Sequence, residues 1–279
     1  MRWRELAAAD VPAHDDAIGA IYDGRFDVVV VRAAFDAAVL GEVGRRLDSE
    51  TFDPGWERPN QRMPPEDVQL LGTDAPATPT YRAPRGVSLE AYLAGAAAHD
   101  GRAAAMFGPG YDAVGEIRAV LARLAGGRPV ALARAADGRG YAPFTIRRLA
   151  DGTQIGLHHD NHYALDLYRE LAPQLDTRTL VSFVATLRGP RAGGELVVYG
   201  ARSDDPAVPR LAGGFAYDLP AVEAAYPSAR FVTGAGDLFL LAAGRCLHRV
   251  ERIVGPPSRV TMGGFLALDR AHERVLFWS

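Results

Sequence analysis

Apolar residues repeat every three or four positions through much of the first half of the chain, a spacing typical of helices that bury one face. A β-branched run at residues 27–31 predicts a strand, and the pattern after it predicts a helix that ends near Leu47. Ser88 is a suitable N-cap for a further helix, and residues 112–124 predict another. Residues 51–86 are rich in Pro, Asp and Gly instead. They predict a long irregular segment of the kind that often forms a lid or a binding loop.

The pattern changes near residue 143. Short apolar or alternating runs are now separated by Gly, Pro and Asp, which is typical of a β-sandwich or a β-barrel. We predict one domain over residues 1–279, with a β core at 143–269 and a mainly helical part at 1–142 that packs outside one sheet. The predicted strands of the core are 144–149, 154–158, 179–187, 195–199, 214–218, 229–233, 237–241, 248–253 and 259–268.

Composition excludes several kinds of chemistry. The only cysteine, Cys246, rules out an internal disulfide framework and any cysteine-rich zinc or iron–sulfur site. The chain contains no lysine, so its 31 basic residues are all arginine. A Schiff-base lysine, a pyridoxal phosphate site and a Walker A lysine are therefore impossible.

Charge and hydropathy narrow the partners and the compartment. The formal net charge is -3 and no basic run stands out, so we expect no nucleic-acid partner. No apolar stretch is long enough to cross a bilayer, and the first residues lack the apolar core of a signal peptide. We predict a cytoplasmic protein with a small-molecule partner and no membrane association; the oligomeric state stays open.

Polar residues crowd at His158-His159-Asp160-Asn161-His162, directly after a predicted strand. Side chains alternate along a strand, so His158 and Asp160 face one side and His159 the other. At roughly 3.3 Å per residue His162 would lie about 13 Å from His158, too far for one metal ion. A third ligand must come from elsewhere in the chain.

His248 is the best candidate for that third ligand. It follows a turn, a short apolar strand and a second turn that contains glycine. Two histidines and one carboxylate form the facial triad that holds non-haem iron and leaves three coordination positions open. Those positions suit a chelating co-substrate and O2.

Arg259 and Thr261 follow His248 and share one face of a predicted strand. A planar guanidinium binds a carboxylate through two hydrogen bonds, and a neighbouring hydroxyl adds a third. The pair predicts a site for a carboxylate ligand.

The order of these motifs resembles the Fe(II)/2-oxoglutarate-dependent dioxygenases. The matching stretches are 151–160, Gly193-Gly194-Glu195-Leu196, 236–250 and Arg259-Val260-Thr261. The resemblance covers about half of the chain, residues 143–269. The resemblance implies a mainly β fold with flanking helices, built on a double-stranded β-helix (a jelly-roll, cupin-like core). It also implies Fe(II) on His158, Asp160 and His248, and 2-oxoglutarate on Arg259 and Thr261, with O2 as the oxidant.

The sequence around His158 is similar to the branch of that superfamily that hydroxylates or halogenates free amino acids. Its halogenases carry Gly or Ala at the carboxylate position, where this chain has Asp160. The resemblance therefore implies a hydroxylase, with a free amino acid or a related natural-product intermediate as substrate.

Four further residues are candidates for contact with the substrate, and each has an ordinary structural alternative. Asn161 and His162 lie just past the ligands, where they could instead cap a loop. Arg147 could bind a substrate carboxylate or form a structural ion pair. Trp278 could line the site or pack in the core.

Two other functions fit parts of the pattern. His158 and His162 are spaced as zinc ligands would be on a helix, although His159 stands where a zinc protease of the usual motif has its glutamate base. A non-catalytic β-sandwich binding module is the second alternative. Metal analysis would distinguish the three functions. An oxygenase would hold iron and turn over 2-oxoglutarate, a zinc hydrolase would hold zinc and hydrolyse its substrate, and a binding module would hold no metal.

Overall fold

A computed structural model describes residues 1–47, 68–71, 88–160, 168, 170–211 and 216–279. Its helices lie mainly in the first half of the chain, where the apolar spacing predicts them. They are α1 (Ala17–Tyr22), α2 (Ala37–Leu47), α3 (Leu89–Ala97), α4 (His99–Phe107), α5 (Ala113–Arg123) and α6 (Leu219–Ala225).

The strands within the described residues form two sheets, of nine and four strands, as expected of a double-stranded β-helix. The large sheet contains β1 (Trp3–Ala7), β2 (Val28–Arg32), β3 (Val68–Leu71), β4 (Val130–Leu132), β5 (Thr145–Leu149), β7 (Val181–Arg188), β10 (Leu238–Leu241), β12 (Arg259–Leu268) and β13 (Val275–Trp278). The small sheet has the order β6 (Ile155–His158), β11 (Cys246–Val250), β8 (Leu196–Arg202) and β9 (Ser228–Phe231).

Strand β12 organises the large sheet because it is the longest of the described strands. One of its edges pairs with β7 along most of its length, while the other edge pairs first with β5 and then with β13. Thr261 lies opposite Arg147 on β5 and opposite Thr186 on β7. Residues directly opposite each other share a face of the sheet. Arg259, Thr261 and Arg147 therefore face the same side.

The hydrophobic core lies against the large sheet and beneath the helices. It includes Ile18 of α1, Val43 of α2, Leu93 of α3 and Ile117 of α5, each at most 2% exposed. The Ser88 side chain accepts a hydrogen bond from the Ala91 amide at the start of α3, which confirms the predicted cap. The helix predicted at 112–124 is also present as α5, with Asp112 as its N-cap. A smaller cluster packs beneath α6 on the outer face of the small sheet, and it includes Val197, Tyr199, Val222 and Leu247.

The first half of the chain contributes more strand than its pattern suggests. Besides the predicted β2, the short strands β1, β3 and β4 all join the large sheet. Runs of three to five residues at a sheet edge carry too few apolar positions to show a period of two. The irregular segment predicted at residues 51–86 lies outside the described residues, apart from 68–71.

The prediction of a strand at 214–218 is wrong for residues 216–218, the part of that range that the structure describes. Tyr217 forms a single bridge with Arg210, and Asp218 is the N-cap of α6. The Asp218 side chain accepts a hydrogen bond from the Ala221 amide, and Pro220 occupies the first turn. Asp218, with Pro220 two residues later, begins a helix here, and the apolar residues before Asp218 concealed that signal. Among the described helices, none has both the length and the apolar character that a bilayer crossing requires.

Candidate metal and co-substrate site

Three predicted ligands come together between two neighbouring strands of the small sheet. His158 ends β6 and lies directly opposite His248 on β11, and Asp160 follows two residues after β6 ends. One ligand atom from each of the three lies within 4.8 Å of the others. The Asp160 carboxylate is 3.6 Å from His158 Nε2 and 3.9 Å from His248 Nε2. All three residues are buried.

Backbone carbonyl groups orient both imidazoles. Nδ1 of His158 lies 2.7 Å from the Gly156 carbonyl oxygen, and Nδ1 of His248 lies 3.0 Å from that of Cys246. A proton on each Nδ1 leaves Nε2 as the lone-pair donor that faces the carboxylate. Burial lowers the pKa of His158 to about 4 and also lowers the pKa of His248. Both rings are therefore neutral near pH 7, as metal ligands must be.

The carboxylate of Asp160 is positioned from two sides. Its backbone amide donates to the Ala243 carbonyl oxygen at 2.9 Å, which fixes the chain just past β6. The Ser182 hydroxyl on β7 donates to Asp160 Oδ2 at 2.8 Å. Sequence analysis missed Ser182. A serine in the otherwise apolar run 180–185 was the one available signal, but nothing in the sequence indicated its partner.

His159 faces the other side of the small sheet, as alternation along the strand predicts. Its Nδ1 lies 2.9 Å from the Tyr217 hydroxyl, and the Arg210 guanidinium carbon lies 4.4 Å from the centre of the Tyr217 ring. His159 thus belongs to a contact between the small sheet and the chain before α6, away from the three ligands.

Arg259 lies on β12 with its side chain buried, and its guanidinium makes no hydrogen bond or ion pair with any described residue. Burial, together with the positive charge of Arg147, lowers the pKa of Arg259 to about 10. A buried cation is stabilised when an anion pairs with it. The Thr261 hydroxyl lies on the same face of β12. These features fit a carboxylate ligand.

The other predicted site residues are placed as follows. Arg147 on β5 lies opposite Thr261, and its charge also lowers the pKa of His158, so its guanidinium lies within electrostatic reach of both Arg259 and His158. Trp278 on β13 is fully buried, with its ring 6.4 Å from that of Phe265 and 6.1 Å from that of Tyr168. Asn161 and His162 lie outside the described residues.

The donor set itself indicates which metal fits. Two imidazoles and one carboxylate on one side of the ion are the ligands of non-haem Fe(II), and the remaining positions stay available to other ligands. A zinc protease site would need His158 on a helix, but His158 ends strand β6. The residues present therefore fit iron.

Comparisons with known proteins agree with this geometry. A family described as "Carrier-protein-independent halogenase WelO5" matches residues 1–279. Among curated protein sequences, none matches the chain.

Two solved structures have a similar fold. One is an N-substituted L-amino acid dioxygenase from Burkholderia ambifaria, with 15% identity, a TM-score of 0.53, and coverage of 94% of this chain and 90% of that chain. The other is the non-heme alpha ketoglutarate dependent carbocyclase SnoK from nogalamycin biosynthesis, with 13% identity, a TM-score of 0.50, and coverage of 93% and 88%. At such low identity these likenesses establish the shared fold.

Proposed function

The chain belongs to the WelO5 family of Fe(II)- and 2-oxoglutarate-dependent enzymes, and we propose that this member is a hydroxylase whose iron is held by His158, Asp160 and His248. The observation that carries the proposal is the carboxylate of Asp160 within 4 Å of both imidazoles. Halogenating relatives have Gly or Ala at that position, which leaves room for a halide. In this chain the Asp160 carboxylate fills the space that a halide would need, and it adds a negative charge that disfavours a second anion.

In this proposal Arg259 and Thr261 bind the distal carboxylate of 2-oxoglutarate. The guanidinium is buried and makes no ion pair within the described part of the chain, so an incoming carboxylate supplies its counter-charge. Fe(II), when bound, supplies the activation of O2 and the oxidation of a C–H bond. The protein contributes neutral, pre-oriented imidazoles, an oriented carboxylate and a buried setting that excludes water.

The proposed substrate is a free amino acid or a related natural-product intermediate with a carboxylate. Arg147 shares the inward face of the large sheet with Arg259 and Thr261, and its charge acts on both His158 and Arg259. A substrate carboxylate near Arg147 would lie close to the iron ligands and beside the co-substrate. Asn161, His162 and Trp278 are proposed to complete this pocket. We also propose a cytoplasmic location for the enzyme.

The test is a turnover assay with the Fe(II)-loaded protein, 2-oxoglutarate, O2 and excess chloride. The panel consists of free L-amino acids and of N-substituted L-amino acids, the class named for the Burkholderia ambifaria structure. We expect succinate together with a product heavier by one oxygen atom, detected by mass spectrometry. A chlorinated product from the unmodified protein would overturn the hydroxylase proposal. Zinc retention with hydrolysis would overturn the iron assignment.

A further inference from the structure

Two consecutive glycines, Gly193 and Gly194, lie one residue before strand β8, and the proposed reaction gives them no role. Both adopt left-handed backbone conformations, with φ of 71° and 75°. Gly194 also lies in a crowded place. A Cβ atom there would lie 2.7 Å from Ile253 Cδ1, 2.9 Å from Pro190 Cγ and 3.1 Å from Arg259 Cδ. A side chain added at position 194 would therefore press on the aliphatic stem of Arg259, the residue proposed to bind the co-substrate.

The neighbours of Gly194 have little freedom to move away. Ile253 is fully buried and packs with Leu149 and Val250. Its amide donates to the Thr153 carbonyl oxygen at 2.8 Å, and its own carbonyl oxygen accepts from the Gly152 amide at 2.9 Å. A methyl group at position 194 would press on three neighbours: the Ile253 side chain, the Pro190 ring and the Arg259 stem. The Ile253 backbone is held on both sides and the Pro190 ring is rigid, whereas the Arg259 guanidinium has no hydrogen bond or ion pair within the described residues. The Arg259 stem is therefore the neighbour that yields most readily.

Displacement of that stem matters because of where the contact lies. Cδ is bonded directly to the guanidinium, so a shift of a few tenths of an ångström at this atom moves the hydrogen-bonding fork itself. Bidentate recognition of a carboxylate depends on the position of that fork. The consequence would be a weaker co-substrate complex with the iron ligands left intact.

We propose that Gly194 is a positioning residue for 2-oxoglutarate: its missing side chain opens the slot in which the Arg259 stem lies. This inference rests on the proposed function, since it takes Arg259 as the carboxylate-binding residue. The competing explanation is that glycine stands at position 194 only because φ is positive there. The chain itself offers controls that separate the two explanations.

Gly152 and Gly255 are the matched controls. Their φ values are 84° and 72°, close to that of Gly194, but a Cβ atom at either position would meet nothing within 4 Å. Alanine at any of the three positions adds the same kind of backbone strain. Only alanine at position 194 also presses on Arg259.

The experiment measures 2-oxoglutarate affinity by calorimetry on the Fe(II)-loaded protein under nitrogen, together with Fe(II) affinity and the thermal midpoint. For Gly194→Ala we expect the dissociation constant of 2-oxoglutarate to rise about tenfold or more, since misplacement by a fraction of an ångström is costly at a site of this kind. Fe(II) affinity should be unchanged. Gly152→Ala and Gly255→Ala should keep the wild-type dissociation constant while losing thermal stability. An equal change in all three variants, or none in Gly194→Ala, would overturn the inference.

Two further variants keep the outcome decisive. Arg259→Leu is the benchmark: if it leaves 2-oxoglutarate affinity unchanged, the proposed function fails, whereas failure of Gly194→Ala alone leaves that function standing. If Gly194→Ala does not fold, the double variant Gly194→Ala/Ile253→Val removes the nearest clash at Cδ1 and retains the one with Arg259. It should bind 2-oxoglutarate about tenfold more weakly than Ile253→Val alone, and equal affinities would count against the inference.

Discussion

Ser182 Oγ donates a hydrogen bond of 2.8 Å to Oδ2 of Asp160, which joins the large sheet to the proposed iron ligand set. Hydrogen bonds to metal-ligating groups commonly contribute 10- to 100-fold to metal affinity. We therefore expect Ser182→Ala to weaken Fe(II) binding by about 10- to 100-fold, as measured by metal competition with a chelator of known affinity.

A control for Ser182→Ala exists on the same strand. The Thr186 hydroxyl is hydrogen-bonded to the Thr233 hydroxyl at 2.7 Å and has no hydrogen bond to a proposed ligand. Thr186→Val should therefore lower stability and leave iron affinity at the wild-type value. If both variants lose iron affinity equally, the effect arises from β7 as a whole and not from the carboxylate.

The two neighbouring histidines should respond differently to truncation. His158→Ala removes an imidazole that lies opposite His248 and should abolish iron binding and turnover. His159→Ala breaks only the contact with Tyr217 on the other side of the sheet and should retain the metal. Metal analysis of the purified variants checks both outcomes. Equal iron loss in His159→Ala would show that the two faces of the strand are assigned the wrong way round.

Loss of the buried guanidinium should affect the co-substrate and spare the metal. Removing one partner of a desolvated charge pair costs roughly 2–5 kcal/mol, so Arg259→Leu should greatly weaken 2-oxoglutarate binding at unchanged iron affinity. Arg148→Leu is the control, because Arg148 lies opposite Val260 on the other face and its Nε donates to Ser258 Oγ. An equal loss of 2-oxoglutarate affinity in both variants would contradict the assignment.

The stability of the metal-free protein should fall in mild acid. Burial lowers the pKa of His158 from 6.5 to about 4 and lowers the pKa of His248 in the same direction. Between those values the unfolded chain binds more protons than the folded one, so the free energy of unfolding decreases as pH falls. The contribution of the buried, neutral His158 to the free energy of unfolding is fully present above pH 6.5.

Urea unfolding between pH 4 and pH 8 measures this dependence. Replacement of His158 by Gln removes one of the two groups and should flatten the slope between about pH 4 and pH 6.5. A slope equal to that of the unmodified protein would show that His158 is not the group that titrates.

Sequence reasoning reached the parts of the proposed site that depend on local rules. His158 and Asp160 follow from alternation along one strand, and Arg259 and Thr261 follow from the same rule on another. The third residue of the cluster, His248, could be found because it follows two recognisable turns that are separated by a short apolar strand. In each case the relevant information lies within a few residues of the side chain itself.

What sequence reasoning missed depends on contacts between distant segments. Ser182 meets Asp160 only because β7 passes beneath the end of β6, and no local pattern encodes that crossing. Gly194 has a neighbour in Arg259, 65 residues further along the chain (259 − 194). The last strand, β13, was also missed, because four apolar residues carry no period of their own.

The pairing of β2 with β10 bears on how the protein is made. Val31 lies opposite Leu238 and Val28 opposite Leu241, so one of the first strands to be synthesised acquires its antiparallel partner about two hundred residues later. Contacts of such large sequence separation form slowly, and until they form, the apolar edge of β2 is open to pairing with other chains. We therefore expect ribosome-bound chains that end before β10 to depend on chaperones and to aggregate when released. Chains extended past residue 268, which also contain β12, should gain protease resistance in a single step.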